Sequence, residues 1–265
     1  MKTKSIGSLV TGVALGLLCS MAHAVVTDEE FKLLGTTLTE WGAEKAGSPD
    51  GSYPAWSGDA KAPPGFDPAS GIWPDLYPDE KPLFSIDAKN MAQYKDKLME
   101  GQMELMRRYP TYRIDVYPTH RDVWFPDYWI KGALTNARNP ECRTSPDGVG
   151  VYGCWNGTPF PIPRNGYEAM WNHALRSNKN AEYVSTGYLV NANGAITLLV
   201  QTLTYNEYPY NNPAVTPYEG AGQYYQRVHN LNRLPARDVG GQTMLWYPLQ
   251  FDKMDQRAWS YTPGQ

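Results

Sequence analysis

The segment after residue 178 leaves few folds open to this chain, because β-branched and aromatic runs alternate there with short turns. The runs occupy residues 183–190, 195–205, 224–234, 243–251 and 256–262. Asn191–Gly194 separates the first two runs, and Asn and Gly tolerate the positive φ angles of a tight hairpin turn. The sequence therefore predicts an antiparallel meander of at least five strands.

The second of these strands indicates how the two faces of the sheet differ. Strict alternation places Ile196, Leu198 and Val200 on one face. Leu199 and Leu203 then lie on the other face, among polar residues. An antiparallel sheet with one buried and one partly solvated face normally needs helices or a second sheet to cover the buried one.

Helices are predicted ahead of the strands. A capping box at Thr27 starts the first predicted helix, whose apolar residues from Phe31 to Trp41 recur at helical spacing. A capping box at Asn165 starts another. A third is predicted from about Asp87 to Arg108, since the residue before a proline avoids helical geometry and Pro110 follows. Residues 42–82 are dense in Gly, Pro, Asp and aromatic residues, so this segment is expected to wrap over a folded surface.

The N-terminus has the features of a cleaved secretory signal. Lys2 and Lys4 precede an apolar run from Ile6 to Leu18, and small residues before and at Ala24 match a signal-peptidase site. The run is shorter than the roughly 20 residues that span a bilayer, and no later window is apolar enough to do so. We expect cleavage after Ala24 and a protein that is exported and does not span the membrane.

Cys142 and Cys154 are the cysteines left after cleavage, and an even count in an oxidising compartment predicts a disulfide between them. Zinc is the alternative interpretation, but it would need two further ligands and no histidine lies nearby in the sequence. The net charge of −3 argues against nucleic acid as a partner, because phosphate binding requires clustered Lys and Arg.

Several spaced segments resemble, in order, the signatures of one exported Gram-negative family of unknown function that is related to the outer-membrane lipoprotein-sorting proteins. These segments are Gly42–Gly47, Asp50–Gly51, Pro54–Trp56, Asp79–Phe84, Tyr117–Thr119, Pro159–Pro163, Glu168–Ala169 and Trp171–His173. A further segment, Gln256–Trp259 with Tyr261 and Pro263–Gln265, is similar to a stretch that lies mid-protein in that family. The resemblance thus implies that the natural polypeptide continues beyond residue 265.

The resemblance also implies a fold and a cellular setting. The fold is that of the periplasmic lipoprotein carrier and its outer-membrane acceptor, which hold acyl chains between a curved antiparallel sheet and helices. Similar proteins are associated with outer-membrane barrels and with exporters of the resistance-nodulation-division type. The implied location is the periplasm, with a possible association with the outer membrane.

We therefore expect an α+β protein with a curved antiparallel sheet, an incomplete barrel, and helices on its concave side. Residues 1–24 form the signal peptide, and residues 25–178 hold the helices and the wrapping segments. Residues 179–265 form the strand meander of the same single domain.

Catalytic motifs do not stand out in the sequence. His120, His173 and His229 match no metal-ligand spacing, and Asp79 with Glu80 in a proline-rich loop is more typical of solvated or capping carboxylates. We expect a binding protein rather than an enzyme, with no cofactor and no bound metal.

Aromatic residues make up 13% of the chain, and alternate strand positions predict where they line a groove. The predicted groove residues on the strands are Tyr188, Val190, Leu198, Val200, Tyr224, Val228, Trp246 and Trp259. The predicted closing residues on the helices are Met91, Leu98, Met170 and Trp171. The leading hypothesis is a carrier or docking protein for a lipid, a lipoprotein or another hydrophobic molecule. A secreted carbohydrate-binding or polysaccharide-processing protein is the alternative, and a structural adaptor of an outer-membrane complex is the third.

Overall fold

The structure, a computed structural model, describes residues 26–58, 60–61, 65, 67–70 and 74–264. The predicted signal peptide and its cleavage site at Ala24 lie outside the described residues, as do Phe66 and Trp73 of the predicted wrapping segment.

Short helices precede the sheet. The α-helices are α1 (Asp28–Phe31), α2 (Glu100–Arg108), α3 (Asp127–Arg138) and α4 (Gly166–Ala174). Short 3₁₀ turns occupy Pro68–Ser70, Met91–Lys97, Pro209–Asn211, Gly220–Gln223 and Ala236–Asp238. Two small antiparallel pairs accompany them, β1 (Phe84–Ile86) with β2 (Ile114–Val116) and β3 (Arg143–Thr144) with β4 (Val151–Tyr152).

The helix starts are confirmed more closely than the helix lengths. Thr27 forms the predicted capping box with Glu30, but α1 ends at Phe31, and the chain then turns through bridges that join Leu38 to Leu34 and to Glu44. Local spacing up to Trp41 therefore overestimated this helix.

The second predicted helix is interrupted. Leu98 has an extended backbone (φ −113°, ψ 140°), which separates a 3₁₀ segment at Met91–Lys97 from α2. Helix α2 ends where predicted, with Tyr109 at its C-cap before Pro110. Helix α4 begins as predicted, because the Asn165 side chain accepts a hydrogen bond from the Glu168 backbone N–H at 3.0 Å.

Helix α3 was not predicted. Its Gly132 would place a Cβ atom 1.4 Å from the carbonyl oxygen of Asn156, so only glycine allows this close approach. The buried Asn136 side chain also bonds across to this loop, where its Oδ1 accepts from the Trp155 N–H at 3.0 Å. These tertiary contacts add to a stripe of buried residues, Trp129, Ala133 and Ala137, that recurs at helical spacing.

The meander is confirmed as a five-stranded antiparallel sheet that is not closed into a barrel. Its strands follow the chain order: β5 (Ala181–Val190), β6 (Ile196–Glu207), β7 (Tyr224–Leu234), β8 (Gln242–Pro248) and β9 (Arg257–Tyr261). The α+β class predicted from the sequence is thus confirmed.

The main core lies at one end of this sheet, where α4 and the β3–β4 pair meet the loops that follow β6 and β8. Its buried members are Val151, Cys154, Phe160, Trp171, Leu175, Tyr210 and Leu249. The predicted Cys142–Cys154 disulfide is present, with Cα atoms 4.5 Å apart, and Cys154 is fully buried in this core. A smaller cluster of Val26, Leu34 and Ala137 packs α1 against α3.

Candidate functional site

The pairing register sorts the strand side chains onto two faces, because directly paired residues point to the same side and successive residues alternate. We call one side the aromatic face. Its apolar members are Val184, Tyr188, Val190, Ile196, Leu198, Leu203, Tyr205, Leu231, Met244, Trp246, Trp259 and Tyr261. We call the other side the polar face.

Thr, Asn and Ser dominate the polar face, and their side chains bond across strands. The Thr204 hydroxyl donates to the Asn230 amide oxygen at 2.8 Å, and the Asn230 amide nitrogen donates to the Thr243 hydroxyl at 3.1 Å. Thr202 and Asn232 make a similar pair at 3.2 Å. These bonds pair many polar side chains of this face with one another, and the face also exposes the apolar side chains of Tyr183 and Leu189.

The aromatic face exposes a larger set of apolar side chains to solvent. Ile196 is 70% exposed, Val190 63% and Tyr188 60%. Strand β5 is exposed at every position except Gly187, so no described element covers it. Large contiguous apolar surfaces of this kind mark sites for protein, membrane or ligand contact.

Aromatic rings cluster on this face toward the core end. Trp246 lies edge-on between Tyr224 and Trp259, with ring centroids 5.2 and 5.0 Å apart. The Arg227 guanidinium sits over the Trp246 ring at 5.3 Å. An open hollow of about 490 Å³ lies beside this cluster, and Tyr205 and Met244 are among its lining residues.

Charged groups occupy one row at the core end of the aromatic face. Glu207, Arg227, Trp246 and Arg257 are successive partners across four strands, and Glu207 forms an ion pair with Arg227. The buried Nε of Arg227 has no hydrogen-bond partner among the described residues. The aromatic face therefore runs from an apolar tip to a row that carries charge.

Two tyrosines, Tyr210 in the main core and Tyr218 packed against it, donate hydrogen bonds to backbone carbonyls. Burial raises the pKa of Tyr210 and Tyr218 well above the ordinary value, so both stay neutral and act as donors. Tyr210 donates to the Gly157 carbonyl at 2.7 Å, and Tyr218 donates to the Cys154 carbonyl at 2.9 Å. In the described part of the chain, His, Cys, Asp and Glu do not cluster in a way that would hold a metal ion.

Most of the predicted strand residues fall on one side. Tyr188, Val190, Leu198, Trp246 and Trp259 lie on the aromatic face. Tyr224 joins them through its ring contact with Trp246.

Val200 and Val228 lie on the polar face, which corrects the predicted alternation. The pairing between β5 and β6 shifts at Gly187/Tyr188, so Leu199 is an extra residue, and Val200 no longer shares a face with Leu198. A shift between Tyr224 and Gln226 separates Val228 from Tyr224 in the same way. Gly187, an isolated glycine within a strand, is a local signal for the first bulge that the alternation pattern ignored.

The predicted helix residues do not roof the exposed tip. Trp171 is buried in the core, where its indole N–H donates to the Gly148 carbonyl at 2.9 Å. Met170, the next residue before it, is 64% exposed. Met91 and Leu98 are half-buried in and after the 3₁₀ segment.

Sequence reasoning missed the role of Tyr205, Arg227 and Met244 on the aromatic face and treated His229 as structural. His229 on β7 is the direct partner of Tyr205 on β6, and the Nε2 atom of His229 is 2.9 Å from the amide oxygen of Gln242. A cross-strand row becomes visible only when the register is known, so single-strand patterns could not have found it.

This molecule is an α+β protein. Its antiparallel sheet is open, exposes an aromatic face and is joined at one end to a disulfide-linked core. The chain belongs to a family described as a protein of unknown function (DUF1329), whose profile matches residues 85–265. It is 37% identical over 274 residues to the uncharacterized protein PA3922 of Pseudomonas aeruginosa.

That alignment covers 100% of this chain and 58% of the relative, so the chain spans little more than half the length of the curated relative it matches. No solved structure matches the chain. In the described residues, no helix has both the length and the apolar character needed to cross a bilayer. The kinship with lipoprotein-sorting proteins stays a prediction from the sequence.

Proposed function

We propose that this protein binds a lipid or another hydrophobic molecule on its aromatic face and carries or presents it within the periplasm. The observation that supports this proposal is the one-sidedness of the sheet. The polar face carries cross-strand hydrogen bonds and exposes Tyr183 and Leu189, whereas the aromatic face exposes a larger set of apolar side chains from β5, β6, β8 and β9.

Burial of apolar surface supplies the driving force for such binding. Covering about 300 Å² of apolar surface would contribute about 7 kcal/mol before the costs of association. The protein acts here by binding rather than by chemistry. The hydrophobic tip of β5 and β6 would hold the apolar part of the ligand, and the half-buried rings near Trp246 would extend the contact.

A titration with spin-labelled stearate, followed by electron paramagnetic resonance, tests this proposal on residues 25–265. The variant Tyr188→Ser/Leu198→Ser removes two directly paired side chains from the aromatic face. Its matched control, Leu189→Ser/Val200→Ser, removes two apolar side chains from the polar face of the same hairpin. We expect the first variant to weaken binding at least fivefold and the control to change it less than twofold.

Equal affinities for the two variants would reject the aromatic face as the binding surface. Mass spectrometry of organic extracts from protein isolated from its native envelope then identifies the cargo. Acyl lipid or a hydrophobic metabolite is the expected finding. Retention of soluble glycans alone would instead favour the carbohydrate-binding alternative, and stable capture of envelope proteins without any lipid would favour the adaptor role.

A further inference from the structure

A second hollow lies away from the sheet face, where four segments of the chain meet. It has a volume of about 510 Å³ and is lined by residues 41–43, by the loop at 158–163 and by the C-terminal end of α4 with the residues after it. Phe125 and Trp129, at the start of α3, complete its wall. None of these residues belongs to the aromatic face.

Aromatic rings form the apolar part of this hollow. Phe125 stacks on the buried Trp129 with ring centroids 4.2 Å apart, and Trp41 meets Phe125 edge-on at 4.8 Å. Trp41 and Phe125 are themselves only half-buried, so their outer surfaces face the hollow and solvent. Such a wall suits an apolar, planar molecule.

The frame around these rings is fixed by backbone contacts. The Asn172 side chain accepts from the Phe160 N–H at 2.9 Å and donates to the Phe160 carbonyl at 2.7 Å, which ties the 158–163 loop to α4. Gly42 approaches the same loop so closely that a Cβ atom would lie 1.7 Å from the Pro161 oxygen. The hollow is therefore preformed, as small-molecule sites usually are.

Charge at the rim is positive. Arg176 and His173 line the hollow and are exposed, and no lining residue is an aspartate or a glutamate. The Arg176 guanidinium donates to the His173 carbonyl at 3.1 Å, and no carboxylate among the described residues pairs with it. Guanidinium groups remain charged at all physiological pH values and bind carboxylates and phosphates.

We propose that this hollow is a binding site for a small aromatic or otherwise apolar anion, held by the rings of Trp41 and Phe125 and by Arg176. The apolar part of the ligand packs on the ring wall, and its carboxylate or phosphate meets the guanidinium at the rim. The site is independent of the lipid-binding role proposed for the aromatic face.

Photolabelling with benzoylbenzoate, an aromatic carboxylate, tests the site, and uncharged benzophenone serves as the matched probe. Adducts of the carboxylate are mapped by mass spectrometry of peptides from residues 25–265. We expect them in the segments that line the hollow, and we expect benzophenone to label those segments more weakly.

Charge variants at the rim supply the decisive comparison. Arg176→Gln removes the cation, and Ala43→Glu adds a carboxylate at an exposed lining position, whereas Ala43→Gln is a neutral control of equal size. Arg237→Gln removes an exposed arginine elsewhere. We expect about tenfold weaker benzoylbenzoate binding for Arg176→Gln and Ala43→Glu, in line with the loss of one charge-assisted bond, and less than twofold change for both controls.

Adducts that map away from the hollow, or affinities within twofold of the unaltered protein for both Arg176→Gln and Ala43→Glu, would overturn the proposal. Adducts confined to the aromatic face of the sheet would reject this site while leaving the lipid-binding proposal intact. All four substitutions lie at exposed positions, so circular dichroism and the unfolding midpoint should match those of the unaltered protein.

Discussion

The two ends of the five-stranded sheet share one pairing pattern but differ in what surrounds them. At the core end, Leu203, Tyr224 and Leu249 are almost completely buried, and Leu249 packs in one cluster with Cys154 and with Trp171 of α4. At the hairpin end, Tyr188 and Ile196 are exposed to solvent. The core end therefore contributes stability, whereas the hairpin end is free to contribute a binding surface.

This difference explains why an open sheet persists without a cover over its tip. At the hairpin end, the antiparallel backbone pairing of β5 with β6 keeps the strands together. At the core end, β6 to β8 lead into buried residues. Substitutions at the two ends should thus separate stability from binding, and the first two of the four predictions below test that separation.

Core truncation should have the largest effect. Leu249 is fully buried, and its carbonyl accepts from the Val151 N–H at 2.9 Å. Leu249→Ala should lower the free energy of unfolding by about 3 kcal/mol, because it removes transfer energy and leaves a cavity. Ile196→Thr, at the exposed tip, should stay within about 0.5 kcal/mol. Urea unfolding of both variants measures this, and similar losses would erase the contrast between the two ends.

Loss of the disulfide should have an effect of similar size. Cys142 and Cys154 are 12 residues apart, and closing such a loop restricts the unfolded chain by about 3 kcal/mol. The double variant Cys142→Ala/Cys154→Ala should therefore unfold at lower denaturant while spin-labelled stearate still binds the aromatic face. Adding a reductant should destabilise the unaltered protein and leave the variant unchanged. Loss of stearate binding in a variant that remains folded would show that the two ends are coupled.

Two helical glycines should respond in opposite directions to the same substitution. Gly132→Ala in α3 places a Cβ atom against the Asn156 carbonyl, so we expect a loss of about 2 kcal/mol from overpacking. Gly101→Ala in α2 meets nothing within 4 Å and should gain about 0.5–1 kcal/mol from helix propensity. Thermal unfolding of the pair tests whether α3 is fixed by its neighbours, and equal signs would contradict it.

Protonation of Glu30, which attaches α1 through Arg164, should have the smallest effect. Hydrogen bonds from Arg164 and from the Thr27 backbone lower the pKa of Glu30 from 4.5 to about 2. A carboxylate with a lowered pKa stabilises the folded state above its unfolded pKa, and this contribution is lost as pH falls from about 4.5 toward 2. Unfolding midpoints measured across that range should fall less steeply for Glu30→Gln than for the unaltered protein. Glu29→Gln, one residue earlier, is the control and should follow the unaltered curve.

Local signals in the sequence were enough for several elements. The capping residues Thr27 and Asn165 marked true helix starts, and Pro110 marked the end of α2. These signals work because they depend on neighbours within a few residues. Helix α3 was missed although its buried residues Trp129, Ala133 and Ala137 recur at helical spacing. The contacts of Gly132 and Asn136 with residues 155–156 lie outside any local window.

The candidate site could be predicted only in part. Alternation placed Tyr188, Leu198 and Trp259 on one side correctly, whereas Val200 and Val228 were assigned to the wrong face. A bulge inserts one residue and reverses the alternation beyond it. Gly187 marks one of the two shifts within its own strand, whereas the shift between Tyr224 and Gln226 becomes visible only from the pairing of two strands.

The sequence by itself determined the order of the strands, the hairpin at Asn191–Gly194 and the disulfide, since periodicity, turn residues and cysteine count act over short distances. Only the tertiary structure decided which side chains share a face, which end of the sheet is buried and which hollow gathers Trp41, Phe125 and Arg176. Those outcomes follow from pairing register and from packing between distant segments, where the energy of each contact depends on all the others.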